Sequence, residues 1–311
     1  MLPTSLVIAL SLLALAAVLS QCHRDLPSRW CEERYGDEHS RFLHFNGYRV
    51  HYKLEGPERA PTVVLLHGTA ASLHTFDGLS PMLQPTHRVL RYDLPGFGLT
   101  GQGDSNKYSC AADAEFLREL LARLGVERPV TLIGNSLGGR IAWEFALRYP
   151  DLTHSLVLID SAGFPWPKKP PGLRLPRLPV IGEAFRYLTP RAFVGFNVRQ
   201  VYGNPGKVTP ELVQLYFELL LKEGNRRCLL DRVRVDLDNE SHRIPQISCP
   251  TLVLWGEKDT WIRLHHAHRF ARALPHATLI TYPDLGHIPH EEEPEAAASD
   301  ILAFLQSNPV P

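Results

Sequence analysis

The chain lacks a net charge, because its 33 lysines and arginines are matched by 33 aspartates and glutamates among 311 residues. A nucleic-acid-binding surface needs a basic excess, so nucleic acid is not an expected partner. Internal repeats and low-complexity tracts are also lacking. What remains is a composition with 44% hydrophobic residues. It predicts one globular α/β domain that carries an insertion.

Cysteine is scarce, and none of the five positions forms a CxxC pair or a Cys/His metal spacing. We therefore expect no zinc site and no nucleophilic thiol. Cys22 and Cys31 are the easiest local disulfide pair if the protein is exported. His265 and His268 have helical spacing, but no further ligand is evident beside them or the adjacent His266, so neither a metal nor a cofactor is predicted.

The N-terminus carries the one long apolar run, "LPTSLVIALSLLALAAVLS" (2–20), which has no charged side chain. A run of this length nearly suffices to span a bilayer and also suits a secretion signal. We predict that residues 1–21 are a signal peptide or membrane anchor, and that the protein is exported or membrane-anchored. The sequence before Cys22 loosely resembles a lipoprotein cleavage box, so lipidation of Cys22 stays open. Residues 22–38 are polar and irregular and are interpreted as a linker.

Short apolar runs alternate with helical patterns through most of the chain. Continuous apolar runs are typical of strands buried on both faces, and the alternation predicts a mostly parallel central sheet with helices on both faces. The runs that carry this prediction are "TVVLLHG" (62–68), "VTLIGN" (130–135), "HSLVLIDSAG" (154–163) and "CPTLVLWGEKD" (249–259).

The alternation fails in residues 164–245, where a proline cluster precedes helical stretches. We interpret this range as a helical cap, or lid, inserted into a core formed by 39–163 and 246–311. Such a cap is expected above the carboxyl ends of the strands, where these sheets bind ligands. Its segment 163–185 mixes apolar and basic residues. That mixture suits an acyl-chain pocket or a membrane-resting face, or alternatively a proline-rich loop packed on the cap helices.

A single serine stands between two glycines where a predicted strand meets a predicted helix, at Gly134-Asn135-Ser136-Leu137-Gly138. A side chain at Gly134 or Gly138 is expected to collide with neighbouring backbone in so tight a turn. The turn exposes Ser136 at the end of the strand in a strained conformation. Ser136 is therefore the candidate nucleophile, and Asn135 is interpreted as structural.

A serine hydroxyl needs a base, and the base needs an acid that orients it. His287 follows the last predicted strand and is preferred over His290, which we place at the start of the final helix, facing solvent or the cap. Asp259 follows the preceding predicted strand, and the order Ser136, Asp259, His287 is the expected one. Asp160 is the fallback acid.

Backbone N–H groups are expected to form an oxyanion hole beside Ser136. Leu137 opens the helix, so its N–H points toward the site of the developing charge. The second donor is predicted to be the N–H of Thr69, in the loop after the strand that ends at Gly68. His67 and Asp93 are interpreted as structural side chains of the neighbouring loops.

These pieces together resemble the α/β-hydrolase superfamily. The resemblance covers residues 41–306 and rests on His67-Gly68, "DLPGFG", "GNSLGG", "WGEKD" and "GHIPHEEEP". Haloalkane dehalogenases and epoxide hydrolases have aspartate in the place of Ser136, which argues against both. Among serine members, the chain is similar to bacterial esterase/lipase-like proteins.

The resemblance implies a serine hydrolase that cleaves carboxylic esters, from a small-molecule or lipid-like substrate, through an acyl-enzyme on Ser136. One alternative is a C–C bond hydrolase of ring-cleavage products, which needs an arginine for the substrate carboxylate; Arg140 is the candidate. An alternative of another class is a non-catalytic binding module, which would show a broken triad.

Overall fold

The computed structural model describes Leu6 and residues 20–104, 108–165, 171–235 and 240–310. Within these residues the chain forms one eight-stranded sheet in the order β1-β2-β4-β3-β5-β6-β7-β8. The strands are β1 (Arg41–Phe45), β2 (Tyr48–Glu55), β3 (Thr62–Leu66), β4 (Arg88–Tyr92), β5 (Val130–Asn135), β6 (Thr153–Ile159), β7 (Thr251–Gly256) and β8 (Ala277–Tyr282).

The sheet is parallel from β4 to β8, whereas β2 pairs antiparallel with both of its neighbours, β1 and β4. The central strands β5 and β7 are buried at every residue, as expected for strands covered on both faces. The predicted fold class, a mostly parallel sheet within an α/β domain, is confirmed.

Twelve helices accompany the sheet in the described residues. They are α1 (Ser28–Tyr35), α2 (Ser80–Leu83), α3 (Cys110–Arg123), α4 (Leu137–Arg148), α5 (Pro171–Arg174), α6 (Pro179–Phe185), α7 (Arg191–Val201), α8 (Pro210–Leu221), α9 (Asn225–Arg234), α10 (His265–Ala273), α11 (Pro289–Glu292) and α12 (Pro294–Ser307).

Two apolar clusters cover the two faces of the sheet. On one face, Leu117 of α3, Ile141 of α4 and Phe270 of α10 pack in one cluster. On the other face, Leu83 of α2 and Ile301 of α12 pack against strand residues. Because each helix buries one apolar stripe, this arrangement leaves the strand ends free to carry a site.

Helices α5 to α9 lie within the range interpreted as a cap, 164–245. They have an apolar cluster of their own, formed around Val194, Val198 and Phe217. A buried ion pair ties the cap to the core, because Arg232 of α9 donates to both carboxylate oxygens of Asp113 of α3, at 2.8 and 2.9 Å.

The two interpretations of the segment 163–185 divide along its length. Phe164 and Leu173 are partly buried and pack against the core cluster, whereas Leu178 and Val180 are exposed. Phe185, at the end of the segment, packs against the same cluster. Packing on the molecule therefore accounts for both ends of the segment but not for Leu178 and Val180. Residues 166–170 lie outside the described residues.

The interpretation of 22–38 as irregular is wrong for Ser28–Tyr35, which form α1. The helix turns Cys31 into the interior, while Cys22 is exposed, and all five cysteines are free thiols. The suggested Cys22–Cys31 disulfide is therefore absent.

The predicted signal or anchor, 1–21, lies outside the described residues except for Leu6, Ser20 and Gln21. In the part of the chain that is described, no helix is both long and apolar enough to cross a membrane.

The cap–core ion pair gives a stability prediction. Replacing Asp113 by alanine leaves the Arg232 guanidinium buried without its charge partner, which typically destabilises a fold by about 3–5 kcal/mol. We expect the midpoint of urea unfolding to fall markedly for Asp113→Ala. The double variant Asp113→Leu/Arg232→Met removes both charges and should recover much of that loss.

The matched control is Asp284→Ala, which breaks the exposed pair with Lys258 at 2.8 Å. Because water screens this pair, the urea midpoint of Asp284→Ala should stay near that of the wild type. An Asp113→Ala midpoint equal to that of the control would contradict the assignment of the buried pair as a cap–core tie.

Candidate active site

Ser136 occupies a strained turn between β5 and α4. Its φ of 55° and ψ of −112° lie in a region that residues with a side chain rarely adopt. A Cβ added at Gly138 would lie 2.0 Å from the Leu66 carbonyl oxygen, and one added at Gly134 would lie 2.4 Å from the Gly138 carbonyl oxygen. The two glycines thus allow α4 to approach the sheet closely enough to hold the turn.

The loops after β7 and β8 bring Asp259 and His287 together. The His287 Nδ1 lies 2.7 Å from the Asp259 Oδ2, and both side chains are buried. The other oxygen of Asp259 accepts hydrogen bonds from the N–H groups of Trp261 and Ile262, at 2.6 and 2.9 Å. Asp259 is thereby held as an acceptor for Nδ1–H, which leaves Nε2 of His287 for the cavity that it shares with Ser136.

The cap holds the backbone of His287. Its N–H donates to the carbonyl oxygen of Val201, at the end of α7, at 2.7 Å. The Glu292 carboxylate accepts from the N–H of Gly286 at 3.0 Å and from the N–H groups of Gly203 and Asn204 at 2.8 and 2.7 Å. One carboxylate therefore joins the histidine loop to the cap residues that follow α7.

Asp160, the fallback acid, lies behind Asp259. It is fully buried, with a φ of 43°, and its two oxygens face the N–H of Gly256 at 3.2 and 3.4 Å. Burial, together with the adjacent charge of Asp259 and a hydrogen bond to it, raises the pKa of Asp160 well above its ordinary value. Asp160 thus shares its hydrogen bond with Asp259, and it is Asp259 that holds the imidazole.

Asn135 and His67 fix the loops around Ser136. The Asn135 Nδ2 donates to the carbonyl oxygens of His287 at 2.9 Å and Ile159 at 3.2 Å. His67 accepts from the N–H of Leu94 at 2.9 Å, and burial lowers the pKa of its ring to about 4. These contacts are those of structural residues.

Asp93 has the same kind of role on the neighbouring loop. It accepts from the N–H groups of Leu73 and Leu99, both at 2.7 Å, and faces the His51 Nδ1 at 2.8 Å. Burial alone would raise the pKa of Asp93, but the hydrogen bond and charge of His51 hold it below its ordinary range. The carboxylate therefore stabilises the turn that begins at Leu94.

A cavity of about 210 Å³ opens above Ser136. Thr69 and Leu137, the predicted oxyanion donors, line it together with Ser136 and His287. Leu137 is the first residue of α4, where backbone N–H groups have no partner within the helix. The wall is mainly apolar, with cap residues that include Leu173, Phe185, Phe193, Val198 and Leu220.

His290 differs from its prediction. It lies in the short helix α11 and is fully buried, with its ring 4.7 Å from that of Phe76 and its Nε2 3.1 Å from the Thr75 Oγ1. The prediction that His290 faces solvent is therefore wrong. Burial lowers its pKa to about 3, so the ring is neutral, and among the described residues it is not part of the cavity wall.

One group among the described residues brings three ligand-type side chains within 4.8 Å, namely Asp160, Asp259 and His287. Their facing atoms already hydrogen-bond to one another and to backbone N–H groups. This donor set suits the orientation of an imidazole better than an ion. His266, from the predicted histidine-rich helix, is buried near Phe164 instead.

The profile of the Alpha/beta hydrolase family matches residues 63–300. The chain belongs to this family. The match spans β3 to α12. It therefore includes the turn at Ser136 between β5 and α4 (the elbow), the loop after β7 with Asp259 and the loop after β8 with His287. The predicted membership of the superfamily is confirmed, and the protein is a hydrolase of this fold.

The hydrolase is similar both to lipases and to a C–C bond hydrolase, among other relatives. It is 29% identical over 266 residues to Lipase 1 of Psychrobacter immobilis, covering 83% of this chain and 81% of that one. It is 27% identical over 273 residues to a 2-hydroxy-6-oxononadienedioate/2-hydroxy-6-oxononatrienedioate hydrolase of Comamonas testosteroni, covering 84% and 92%. A solved structure of a candidate lipase from Acinetobacter baumannii AYE superposes with a TM-score of 0.76 at 26% identity, covering 90% and 94%.

Sequence reasoning missed Glu292 and the raised pKa of Asp160. Glu292 is the middle member of the run Glu291-Glu292-Glu293, and nothing local distinguishes it from its neighbours. The signal that could have found it is its distance of five residues from His287, within one loop-and-helix unit. The raised pKa of Asp160 depends on burial beside Asp259, which only the fold creates.

The two aspartates can be ranked by matched substitutions. Asp259→Asn turns an acceptor into a group that can donate, which favours the wrong histidine tautomer; we expect turnover of an activated ester to fall about 10⁴-fold. Asp160→Asn preserves a neutral donor toward Asp259 and should retain most of the turnover. The reverse ranking in steady-state kinetics would make Asp160 the orienting acid.

Glu292 gives a second prediction for the hydrolase. Glu292→Gln replaces an acceptor of three N–H groups by an amide with one acceptor oxygen, so the histidine loop loosens. We expect kcat to fall by up to about 10²-fold with little change in KM, because the displaced group acts in the reaction step.

The matched control is Glu293→Gln, since the Glu293 side chain, within the described residues, pairs only with Lys207 at the surface. It should leave both constants near those of the wild type. A change in KM alone for Glu292→Gln would show that Glu292 shapes the cap rather than positioning His287.

Proposed function

We propose that the protein is a serine hydrolase that cleaves carboxylic esters with an apolar acyl group. The observation that carries the proposal is the shared cavity: Ser136 and His287 line it together, His287 contacts Asp259 at 2.7 Å, and the remaining wall is mainly apolar. The names of the lipase relatives support the same substrate class.

In the proposed reaction, Ser136 Oγ attacks the ester carbonyl while Nε2 of His287 takes its proton. The N–H groups of Leu137 and Thr69 stabilise the oxyanion, and Asp259 stabilises the imidazolium. His287 then donates the proton to the leaving alcohol, which leaves an acyl-enzyme on Ser136. A water molecule, deprotonated by His287, hydrolyses this intermediate and frees the acid.

The C–C hydrolase alternative needs a cation for the carboxylate of its substrate. Arg140 is buried beside Glu144 and over the ring of Trp143 at 4.2 Å, and among the described residues it is not part of the cavity wall. Arg232 lines the cavity, but its guanidinium is engaged by Asp113 and the Pro95 carbonyl. These pairings favour an uncharged acyl group.

The binding-module alternative predicts a broken set of site residues. Ser136, Asp259 and His287 are all present and Asp259 contacts His287, which favours an enzyme.

We also propose that residues 1–21 act as a signal or anchor that places the hydrolase outside the cytoplasm or at a membrane. Their uncharged, apolar sequence supports this location.

Hydrolysis of p-nitrophenyl esters from acetate to palmitate tests the proposed function. We expect turnover to rise with acyl length until the chain fills the cavity. Ser136→Ala should lower kcat by about 10⁴-fold or more, because the nucleophile is lost.

The control is Ser161→Ala, since Ser161 follows the neighbouring strand β6 and is fully buried but, within the described residues, does not line the cavity. It should retain most of the turnover. Labelling of Ser136 by a fluorophosphonate without cleavage of any ester would overturn the ester assignment and favour the C–C hydrolase.

A further inference from the structure

One stretch of the cap has its large apolar side chains exposed to solvent. Between residues 178 and 187, Val180 is 82% exposed and Tyr187 63%, and Leu178 and Ile181 are exposed as well. Four such side chains within ten residues form an apolar patch, which in soluble proteins usually marks a contact surface. We call these four residues the cap patch.

The inner side of the same segment lines the cavity. Leu173 and Phe185, which flank most of the cap patch in sequence, both contribute to the wall above Ser136. The same segment therefore carries both the cap patch and part of the cavity wall.

The N-terminal apolar run joins the body beside the cap patch. Gln21 and His23 pair with the cap backbone: the N–H of His23 donates to Tyr187 at 3.1 Å, and the N–H of Thr189 donates to Gln21 at 3.2 Å. Cys22 and Leu188 form the antiparallel bridge between these two bonds. The apolar sequence 2–20 thus ends within one residue of the strand-like pairing that includes Tyr187.

Arg226 fastens this junction. Its buried guanidinium donates to the Asp25 carboxylate at 2.5 Å, to the His23 carbonyl at 2.8 Å and to the Thr189 hydroxyl at 3.2 Å. The join between the N-terminal run and the cap is therefore held by charge-assisted hydrogen bonds in addition to backbone pairing.

A basic pocket opens at the same junction. Its lining includes Arg24, Arg186, Arg226 and Arg227, against the acidic Asp25 and Glu223. Arg24 is exposed and, within the described residues, has no acidic partner. Arg186 faces Glu183 at 3.2 Å, and Arg227 faces Asp231 at 3.9 Å. Tyr187 belongs to both this pocket and the cap patch, so an apolar surface and a basic surface meet there. That combination suits anionic lipid headgroups above an acyl layer.

We propose that the cap patch and the adjoining arginine pocket rest on the surface of an anionic phospholipid bilayer. The proposal rests on the membrane attachment proposed for residues 1–21 and is independent of ester hydrolysis. The patch supplies apolar burial, Arg24, Arg186 and Arg227 face the headgroups, and the junction at Gln21–His23 holds the cap side of the molecule toward the membrane.

The test uses the full chain with a fluorescent reporter. The variant Cys22→Ser removes the exposed thiol, and Val180→Cys then carries an environment-sensitive nitrobenzoxadiazole label. The protein is bound to phosphatidylcholine vesicles that contain phosphatidylglycerol. We expect a blue shift and a several-fold rise in emission, with quenching by lipids that carry a nitroxide on the acyl chain.

The matched control places the same label at Glu58→Cys, an exposed site in the loop before β3. That loop lies at the amino ends of the parallel strands, away from the cap. Its emission should not change when the vesicles are added. Equal emission at the two positions would overturn the proposal.

Two further measurements separate the alternatives. Ile181→Asp should abolish the blue shift of the label at position 180, whereas an unchanged shift would contradict a role for the cap patch. A shift that appears without vesicles and grows with protein concentration would assign the patch to a second copy of the chain and overturn the bilayer. Turnover of a soluble short-chain ester by the same samples is read separately, so a failure of the proposed function cannot be mistaken for a failure of docking.

Discussion

The close approach of α4 to the sheet is the constraint on which the rest of the site depends. It brings backbone into contact where any side chain at Gly138 would overlap the Leu66 carbonyl. The chain can then turn from β5 into α4 only through the strained conformation of Ser136. Local strain of this kind persists only when surrounding packing over-determines it, and here the two apolar clusters on the faces of the sheet provide that packing.

The partner side chains are held by a different means, since loops after strands have no comparable packing. Asp259 is fixed by two backbone N–H groups, and His287 by Asp259 on one side and the cap on the other. Because Val201 and Glu292 link the histidine loop to the cap, displacement of the cap also displaces the base. The alignment of His287 therefore depends on the position of the cap.

Sequence reasoning succeeded where the physical cause was local. The elbow could be predicted because its glycines, its strand and its helix lie within a few residues, and the alternation of apolar runs predicted the parallel sheet. It failed where burial decides the outcome. Cys22 and Cys31 are near in sequence, but α1 turns one inward and leaves the other exposed. His290 looked like a surface residue because its sequence neighbours are acidic, yet it packs on Phe76.

Charge neutralisation inside the cap connects the proposed substrate class to the proposed membrane surface. Arg232 lies in the cavity wall, where a free guanidinium would attract a carboxylate, but Asp113 and a backbone carbonyl satisfy its donors. The interior of the cap is thus apolar in effect, while its arginines at residues 24, 186 and 227 lie at the outer pocket. An apolar acyl chain has low solubility in water and is concentrated in a bilayer. A cap that is apolar within and basic beside its exposed patch therefore supports the proposal of an ester substrate that is taken from lipid rather than from solution.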